Sequence, residues 1–213
     1  MAEVHLGHVF HIAGQPVIAD ASVALVSIPD GALVVADGRI AYCGERDAVP
    51  AEFASARVRD HRPGFLVPGF VDTHIHFPQT YAGDSYGGGQ LLEWLEGCIF
   101  PAEARLADPD FARRIATEFC DRRIAAGTTA AMVFGSAFPH AQDALFSETR
   151  RRGLRIVSGR GIQTVGPASA GALITSEADA LRLTRQEIDT WHAADTNDVA
   201  TALLHVAIVP RFS

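Results

Sequence analysis

The chain has 213 residues, of which 48% are hydrophobic and 20% charged, so it is long enough to bury a substantial core. Its formal net charge of −7 argues against a nucleic acid partner, because proteins that bind nucleic acids neutralise phosphates with clustered cations. No uninterrupted apolar segment reaches the roughly 18 residues that a membrane-spanning helix needs, so we expect no membrane partner.

The cysteines and the amino terminus indicate the compartment. Cys43, Cys98 and Cys120 include no closely spaced pair, and such a sparse, odd set is typical of a reducing environment. The first residues include the acidic Glu3 and lack both the basic region and the apolar core of a signal peptide. We therefore expect a cytoplasmic protein.

Residues 1–67 contain short apolar runs typical of strands and no strongly helical segment. In the run ALVVADGRIAYCG, Asp37 and Gly38 separate two β-rich halves, and an Asp-Gly pair in this setting predicts a hairpin. We interpret residues 1–67 as a β-rich amino-terminal segment.

From residue 68 onward, β-rich runs alternate with stretches of helical apolar spacing. The predicted strands are 69–76, 129–134, 154–160 and 203–209, and the helical stretches are 90–106, 108–127, 140–153 and 176–194. This alternation predicts an α/β fold in which residues 68–213 form about the first four units of a TIM-like (β/α) barrel. A complete barrel needs at least roughly 200 residues. We therefore expect either the first part of a longer protein or a half-barrel whose open edge a partner covers.

Two histidines end the first predicted parallel strand, in the segment PGFVDTHIHFPQ. His74 and His76 share one face because side chains at i and i+2 of a strand point the same way. The carboxyl ends of barrel strands are where barrel enzymes build their sites. Two imidazoles can bind zinc, although a catalytic zinc site uses about three protein ligands. Taken alone, the pair fits two packed histidines equally well.

Four segments carry a resemblance to a known family: VPGFVDTHIHFPQ, LLEWLEGCIFPAEARL, AAGTTAA and the terminal IVPRFS. Together they resemble the amino-terminal half of the guanine deaminases, metal-dependent barrel hydrolases of the amidohydrolase superfamily. The resemblance implies that residues 1–67 belong to a small β-sandwich domain and residues 68–213 to the first half of the hydrolase barrel. It also implies a cytoplasmic enzyme of purine catabolism that hydrolyses guanine to xanthine and ammonia.

The same resemblance implies roles for individual residues. His74 and His76 would ligate one metal ion per complete site, usually zinc, with iron or another divalent metal as the alternative. Gln79, Arg211 and Phe212 would bind the purine substrate. These residue types suit a base, because an amide is both donor and acceptor, arginine presents a planar fork of donors, and a phenylalanine ring can stack.

Two further residues are weaker candidates. Asp72 has the strand parity of the two histidines and could support a metal ligand, whereas Trp94 fits core packing by default and a pocket wall as the alternative. The glutamate that transfers protons in the family, and an aspartate ligand, would lie beyond Ser213. We therefore expect no catalytic residue within this chain and no useful turnover from the 213-residue polypeptide alone.

Two alternatives stay open. Residues 161–176 differ from the third-strand loop expected of the family, so the chain could belong to a superfamily deaminase or chlorohydrolase that acts on another heterocycle. It could also be a non-catalytic half-barrel that works through self-association or a partner chain. Because full-length family members are commonly dimers, we expect a homo-oligomer or a partner that covers the open barrel edge.

Overall fold

The computed structural model describes residues 1–14, 24–82, 89–196 and 198–212. The chain divides into two compact units, Met1–Pro68 and Gly69–Ser213. Among the described residues, no helix is long and apolar enough to cross a membrane.

The first unit is built on one four-stranded sheet. Its strands, in chain order, are β1 (Ala2–Ile12), β2 (Leu25–Ala36), β3 (Arg39–Glu45) and β4 (Arg57–Leu66). The spatial order is β3-β2-β1-β4, with β1 antiparallel to β2, β2 antiparallel to β3, and β1 parallel to β4. The predicted hairpin is confirmed: Asp37 and Gly38 both have positive φ, 49° and 76°, as a tight turn of the primed type requires.

Strand β4 was not predicted as a separate strand from the sequence. It contains Pro63 and Gly64, and its pairing with β1 shifts register between Leu6 and His8. Proline lacks the N–H that a ladder needs and is tolerated at the edge of a sheet, where β4 lies.

The second unit is part of a (β/α) barrel, as predicted. Strands β5 (Phe70–His76), β6 (Thr128–Phe134), β7 (Arg155–Gly159) and β9 (Leu204–Val206) form a parallel sheet in the order β5-β6-β7-β9. The chain also forms α1 (Leu91–Trp94), α2 (Phe100–Ala104), α3 (Pro109–Ala125), α4 (Pro139–Arg152) and α5 (Glu177–Trp191). The largest core cluster lies where α3 and α4 cover the sheet and includes Ile115, Phe119, Val133, Phe146 and Ile156.

The single strand predicted at 203–209 is wrong in its extent. Strand β9 ends at Val206, and a separate strand β10 (Val209–Phe212) pairs in parallel with β8 (Gly161–Gln163). Between them, the backbone N–H of Ala207 donates to the carbonyl oxygen of Ser158 at 2.8 Å. The hydrogen-bonding partner therefore changes from β7 to β8 at this point, which displaces the last strand from the barrel sheet.

The helical stretch predicted at 90–106 is interrupted. A π-helical segment, Leu95–Ile99, separates α1 from α2, and Pro101 lies in the first turn of α2. Proline removes a backbone donor and disturbs the turn before it. After this irregularity, Phe100 and Glu103 lie three residues apart on one helix face, and both are buried.

Candidate functional site

The two histidines predicted as metal ligands lie together at the carboxyl end of β5. The ring centroids of His74 and His76 are 5.3 Å apart, with ring planes at 59°. His76 is half-buried and His74 is exposed. The β-strand alternation thus places both imidazoles on one face, as expected from their spacing.

A residue that the sequence did not single out packs against this pair. Phe134, the last residue of β6, stacks on His76 with centroids 4.5 Å apart and planes at 10°, and it lies 4.9 Å from the His74 ring. Strands β5 and β6 are paired, and His76 is opposite Phe134 in their register. This packing restricts the orientation of both imidazoles.

Burial keeps the His76 ring neutral at neutral pH. Removal from water lowers its pKa from 6.5 to about 4, and the positive charge of Arg211 and the neighbouring His74 act in the same direction. A neutral imidazole is the form that ligates a metal ion.

Gln79 is held at the end of a buried turn. The 3-10 segment Phe77–Gln79 follows β5 directly, and Phe77 is fully buried with its ring edge-on to Phe119 at 5.8 Å. The hydroxyl of Thr80 donates to the carbonyl oxygen of Phe77 at 2.7 Å. These contacts fix the direction in which the Gln79 side chain leaves the turn.

Glu103 joins two of the predicted substrate-binding residues. The amide Nε2 of Gln79 donates to Glu103 Oε1 at 2.9 Å, and Arg211 Nη1 donates to the other oxygen, Oε2. Glu103 is only 4% exposed. The sequence analysis missed this residue, although it lies within the segment LLEWLEGCIFPAEARL, as a charged residue on the buried face of a helix.

An aromatic pair surrounds the guanidinium of Arg211. Its Cζ lies 5.5 Å from the Phe100 ring centroid and 5.9 Å from that of Phe212, and the two rings meet edge-on at 6.3 Å. The strand β10 therefore brings Arg211 and Phe212 against the helix that carries Phe100 and Glu103. Cation–π contacts of this kind attract the guanidinium to the two rings.

The two weaker candidates lie nearby in supporting positions. Trp94 is half-buried and, like Phe212, packs against the cluster that contains Phe100. Asp72 Oδ1 accepts from the backbone N–H of His74 at 3.1 Å, and its Oδ2 lies 3.3 Å from Arg123 Nη1. Its recorded contact with the histidine pair is thus to the backbone, not to a ring.

A cavity of about 310 Å³ adjoins the histidines and Gln79, with Phe119, Arg122 and Arg123 of α3 on its other side. A larger cavity of about 590 Å³ lies elsewhere, along the apolar side of α5. The first combines imidazole, amide and guanidinium groups on the side of the histidines and Gln79, and Glu103, Arg211 and Phe212 are not among the residues that line it.

The residues present fit half of a metal site. His74 and His76 supply two nitrogen ligands of the type that zinc or iron binds. Within residues 1–14, 24–82, 89–196 and 198–212, no group of three or more histidine, cysteine, aspartate and glutamate side chains is arranged to hold a metal ion. A complete catalytic site would need further ligands.

Comparison with known proteins identifies the family of the chain. The amidohydrolase family model matches residues 65–205. The chain belongs to the amidohydrolase family. It is 41% identical over 197 residues to a probable guanine deaminase of Deinococcus radiodurans, covering 89% of this chain and 42% of that relative. It is 36% identical over 191 residues to guanine deaminase of Escherichia coli, covering 89% of this chain and 41% of that protein.

Solved structures show the same relationship for this amidohydrolase chain. The crystal structure of guanine deaminase from Bradyrhizobium japonicum superposes with a TM-score of 0.85 at 32% identity, covering 99% of this chain and 44% of that one. The chain thus spans less than half the length of the relatives it matches. Its four parallel strands correspond to part of their barrel.

Proposed function

We propose that this chain is the amino-terminal, substrate-binding part of a guanine deaminase-type aminohydrolase that converts guanine to xanthine and ammonia. The observation that carries the proposal is that Glu103 accepts hydrogen bonds from both Gln79 and Arg211. The positive charge of Arg211 also lowers the pKa of His76. A base held by Arg211 would therefore lie close to a metal-ligating imidazole. The identity to guanine deaminases over 89% of the chain supports this substrate.

Each polar side chain would contact the base through its own chemistry. Arg211 offers donors to a carbonyl oxygen and ring nitrogen, Gln79 offers its amide, and Phe212 offers an aromatic face. The edge-on contact of Phe100 with Phe212, and the packing of Trp94 and Phe212 against the cluster that contains Phe100, would form an apolar wall beside the base. Trp94 would then form part of the wall of the site.

His74 and His76 would hold one divalent metal ion, zinc or iron, together with ligands from outside this chain. The chemistry that such an ion supplies is Lewis acidity, which activates water for attack on the amino-bearing carbon. Phe134 would keep the two rings in ligating orientation, and Asp72 would fix the strand backbone beneath them. We assign no proton-transferring residue to this chain.

Because the chain spans only 42% of a matched relative, we propose that the 213-residue polypeptide has no useful turnover by itself. We also propose that it acts in the cytoplasm and as a homo-oligomer, as the family resemblance implies. Zinc-dependent release of ammonia from guanine by the isolated polypeptide would contradict the proposed inactivity.

The purine site can be tested by binding, which does not need turnover. We expect guanine to bind the chain saturably in ligand-detected NMR, and Arg211→Ala to weaken binding about 10- to 100-fold, as loss of a charged hydrogen bond predicts. The control is Arg182→Ala, since Arg182 is exposed and pairs with Asp179 at 2.8 Å. Absence of guanine binding by the wild-type chain would refute the proposal, and tighter binding of another heterocycle would favour the alternative substrate.

A second function is favoured by a separate observation. The cavity along α5 is bordered by Leu181, Ile188 and Ile208, and Leu181 and Ile208 are strongly exposed. An apolar surface of this kind marks a protein contact. The alternative is a non-catalytic half-barrel that self-associates, and sedimentation at low concentration tests it. A stable oligomer that Leu181→Ser dissociates would support this alternative, and a monomer would count against it.

A further inference from the structure

We propose that Glu103 is a positioning residue that fixes the hydrogen-bonding polarity with which Gln79 and Arg211 meet the base. This inference rests on the proposed function and goes beyond it, because it names what sets the choice between purine bases. Glu103 itself would not touch the substrate. It would act through the two side chains that do.

Both carboxylate oxygens of Glu103 already have hydrogen-bond partners. Oε1 accepts from Gln79, which is 24 residues away along the chain, and Oε2 accepts from Arg211, which is 108 residues away. The carboxylate is 4% exposed, so it has little access to water. A buried carboxylate is expensive unless it is paired, and these two donors supply the pairing.

Glu103 fixes the orientation of the Gln79 amide. A carboxylate can only accept hydrogen bonds, so the NH₂ end of Gln79 must face Glu103. An amide that is free to rotate could present either end to a ligand, and this one cannot. Gln79 therefore keeps Oε1 as an acceptor beside the second N–H of Nε2, and this Oε1 pairs with a ligand edge that carries an N–H donor.

Arg211 is constrained by the same carboxylate. Its Nη1 is engaged by Glu103, and its plane is restrained by the rings of Phe100 and Phe212. The remaining N–H groups form a fork that can only donate. They select a ligand edge that carries acceptors, and the ion pair with Glu103 compensates the charge so that the ligand can be neutral.

Guanine satisfies both requirements and adenine does not. Guanine presents two adjacent acceptors, N7 and O6, whereas adenine has an amino donor in place of O6. With adenine, the donor-only fork of Arg211 therefore faces the amino group, which is also a donor, and the two cannot pair. Guanine also carries N–H donors for the fixed Oε1 of Gln79. We expect the wild-type chain to prefer guanine over adenine.

The test is Glu103→Gln, which keeps the side-chain shape and removes the acceptor-only character. A glutamine at this position can donate to Gln79 Oε1 and so permit the opposite amide orientation, and it presents an N–H group toward Arg211. We expect guanine affinity to fall about tenfold, the preference over adenine to shrink by a similar factor, and the side-chain amide signals of Gln79 to shift in NMR spectra.

The matched control is Glu187→Gln, which replaces another buried acidic side chain, 8% exposed, on α5. It should leave both affinities and their ratio unchanged, because Glu187 accepts from the backbone N–H of Arg160, outside the proposed purine site. The outcomes separate the two proposals. If wild-type chain binds neither base, the proposed function fails, and this inference falls with it. If it binds guanine and Glu103→Gln retains both affinity and preference, the function stands and the positioning role of Glu103 is refuted.

Discussion

His76 and Phe134 are stacked across the β5–β6 pair, with ring centroids 4.5 Å apart and planes 10° from parallel. The aromatic contact orients an imidazole that is proposed to bind metal. Stacked aromatic pairs contribute about 0.5–1.5 kcal/mol beyond buried area. We therefore predict that Phe134→Leu weakens zinc binding by about two- to tenfold, measured by competition with a chromophoric chelator.

The control for this change is Phe146→Leu. Phe146 also stacks on an aromatic ring, that of Trp191, at 5.5 Å and 17°, within the core of the second unit. This variant should lose stability and retain zinc affinity. Equal zinc affinities for Phe134→Leu and wild type would show that the stacking does not orient the ligand.

The histidine pair itself gives the second prediction. We expect His76→Ala to lower zinc affinity at least about tenfold, because it removes one of the two ligands that the chain supplies. His205→Ala is the control, since His205 Nε2 donates to the carbonyl oxygen of Ala202 at 3.0 Å and the ring packs edge-on against His192. If both variants bind zinc equally, His74 and His76 are not the metal site of this chain.

The sequence predicted the barrel units well because each depends on local signals. Strand and helix periodicity indicated β5, β6, β7 and the helices between them, and the i, i+2 rule indicated that His74 and His76 share a face. The break between β9 and β10 was not predictable in this way. It depends on the approach of Ala207 to Ser158 and Gly159, residues about 50 positions earlier, and no local pattern encodes such a contact.

The parts of the candidate site that the sequence missed are also long-range. Phe134 contacts the histidines because the register of the β5–β6 pair places it opposite His76. Glu103 joins the site because β10 places Arg211 next to α2. The family resemblance supplied Gln79 and Arg211 as substrate residues. It supplied nothing about the carboxylate that joins them, because that relationship exists only after three separate segments fold together.

The third prediction concerns the close approach at Gly159. A Cβ at this position would lie well inside contact distance of the Ala207 carbonyl oxygen, which is backbone and cannot rotate away. We predict that Gly159→Ala destabilises the chain by about 1–3 kcal/mol, the usual cost of overpacking, in chemical denaturation. Gly171→Ala is the control, because its Cβ would meet no atom within 4 Å. It should change stability by less than about 1 kcal/mol, and similar losses in both variants would contradict the explanation.

The fourth prediction is a pH dependence of stability that originates at Glu187. Burial raises its pKa from 4.5 to about 7, against a smaller opposing effect of the Arg160 backbone N–H and charge. The Arg160 guanidinium donates instead to the carbonyl oxygens of Ala137 and Ala180 and to Thr175 Oγ1, so it does not pair directly with this carboxylate. Glu187 is therefore protonated in the folded chain at pH values where the unfolded chain has already released the proton.

It follows that Glu187 makes the folded chain lose stability as pH rises from about 4.5 to about 7, because the folded state binds more protons across this range. The total is on the order of 3 kcal/mol at 1.36 kcal/mol per pKa unit. Glu187→Gln should remove this decline, so the variant should gain on the wild type as pH increases. Denaturation midpoints measured at pH 5 and pH 8 test this.

Glu148→Gln is a control of opposite sign. Hydrogen bonds from Arg151 and Arg152 hold the Glu148 pKa below its usual 4.5, so its contribution is present above that value and is lost as pH falls. This variant should be less stable than the wild type at neutral pH, and the difference in stability should shrink at acidic pH. If Glu187→Gln instead follows the pH profile of Glu148→Gln, Glu187 is ionised and paired in the folded chain, and burial does not dominate its titration.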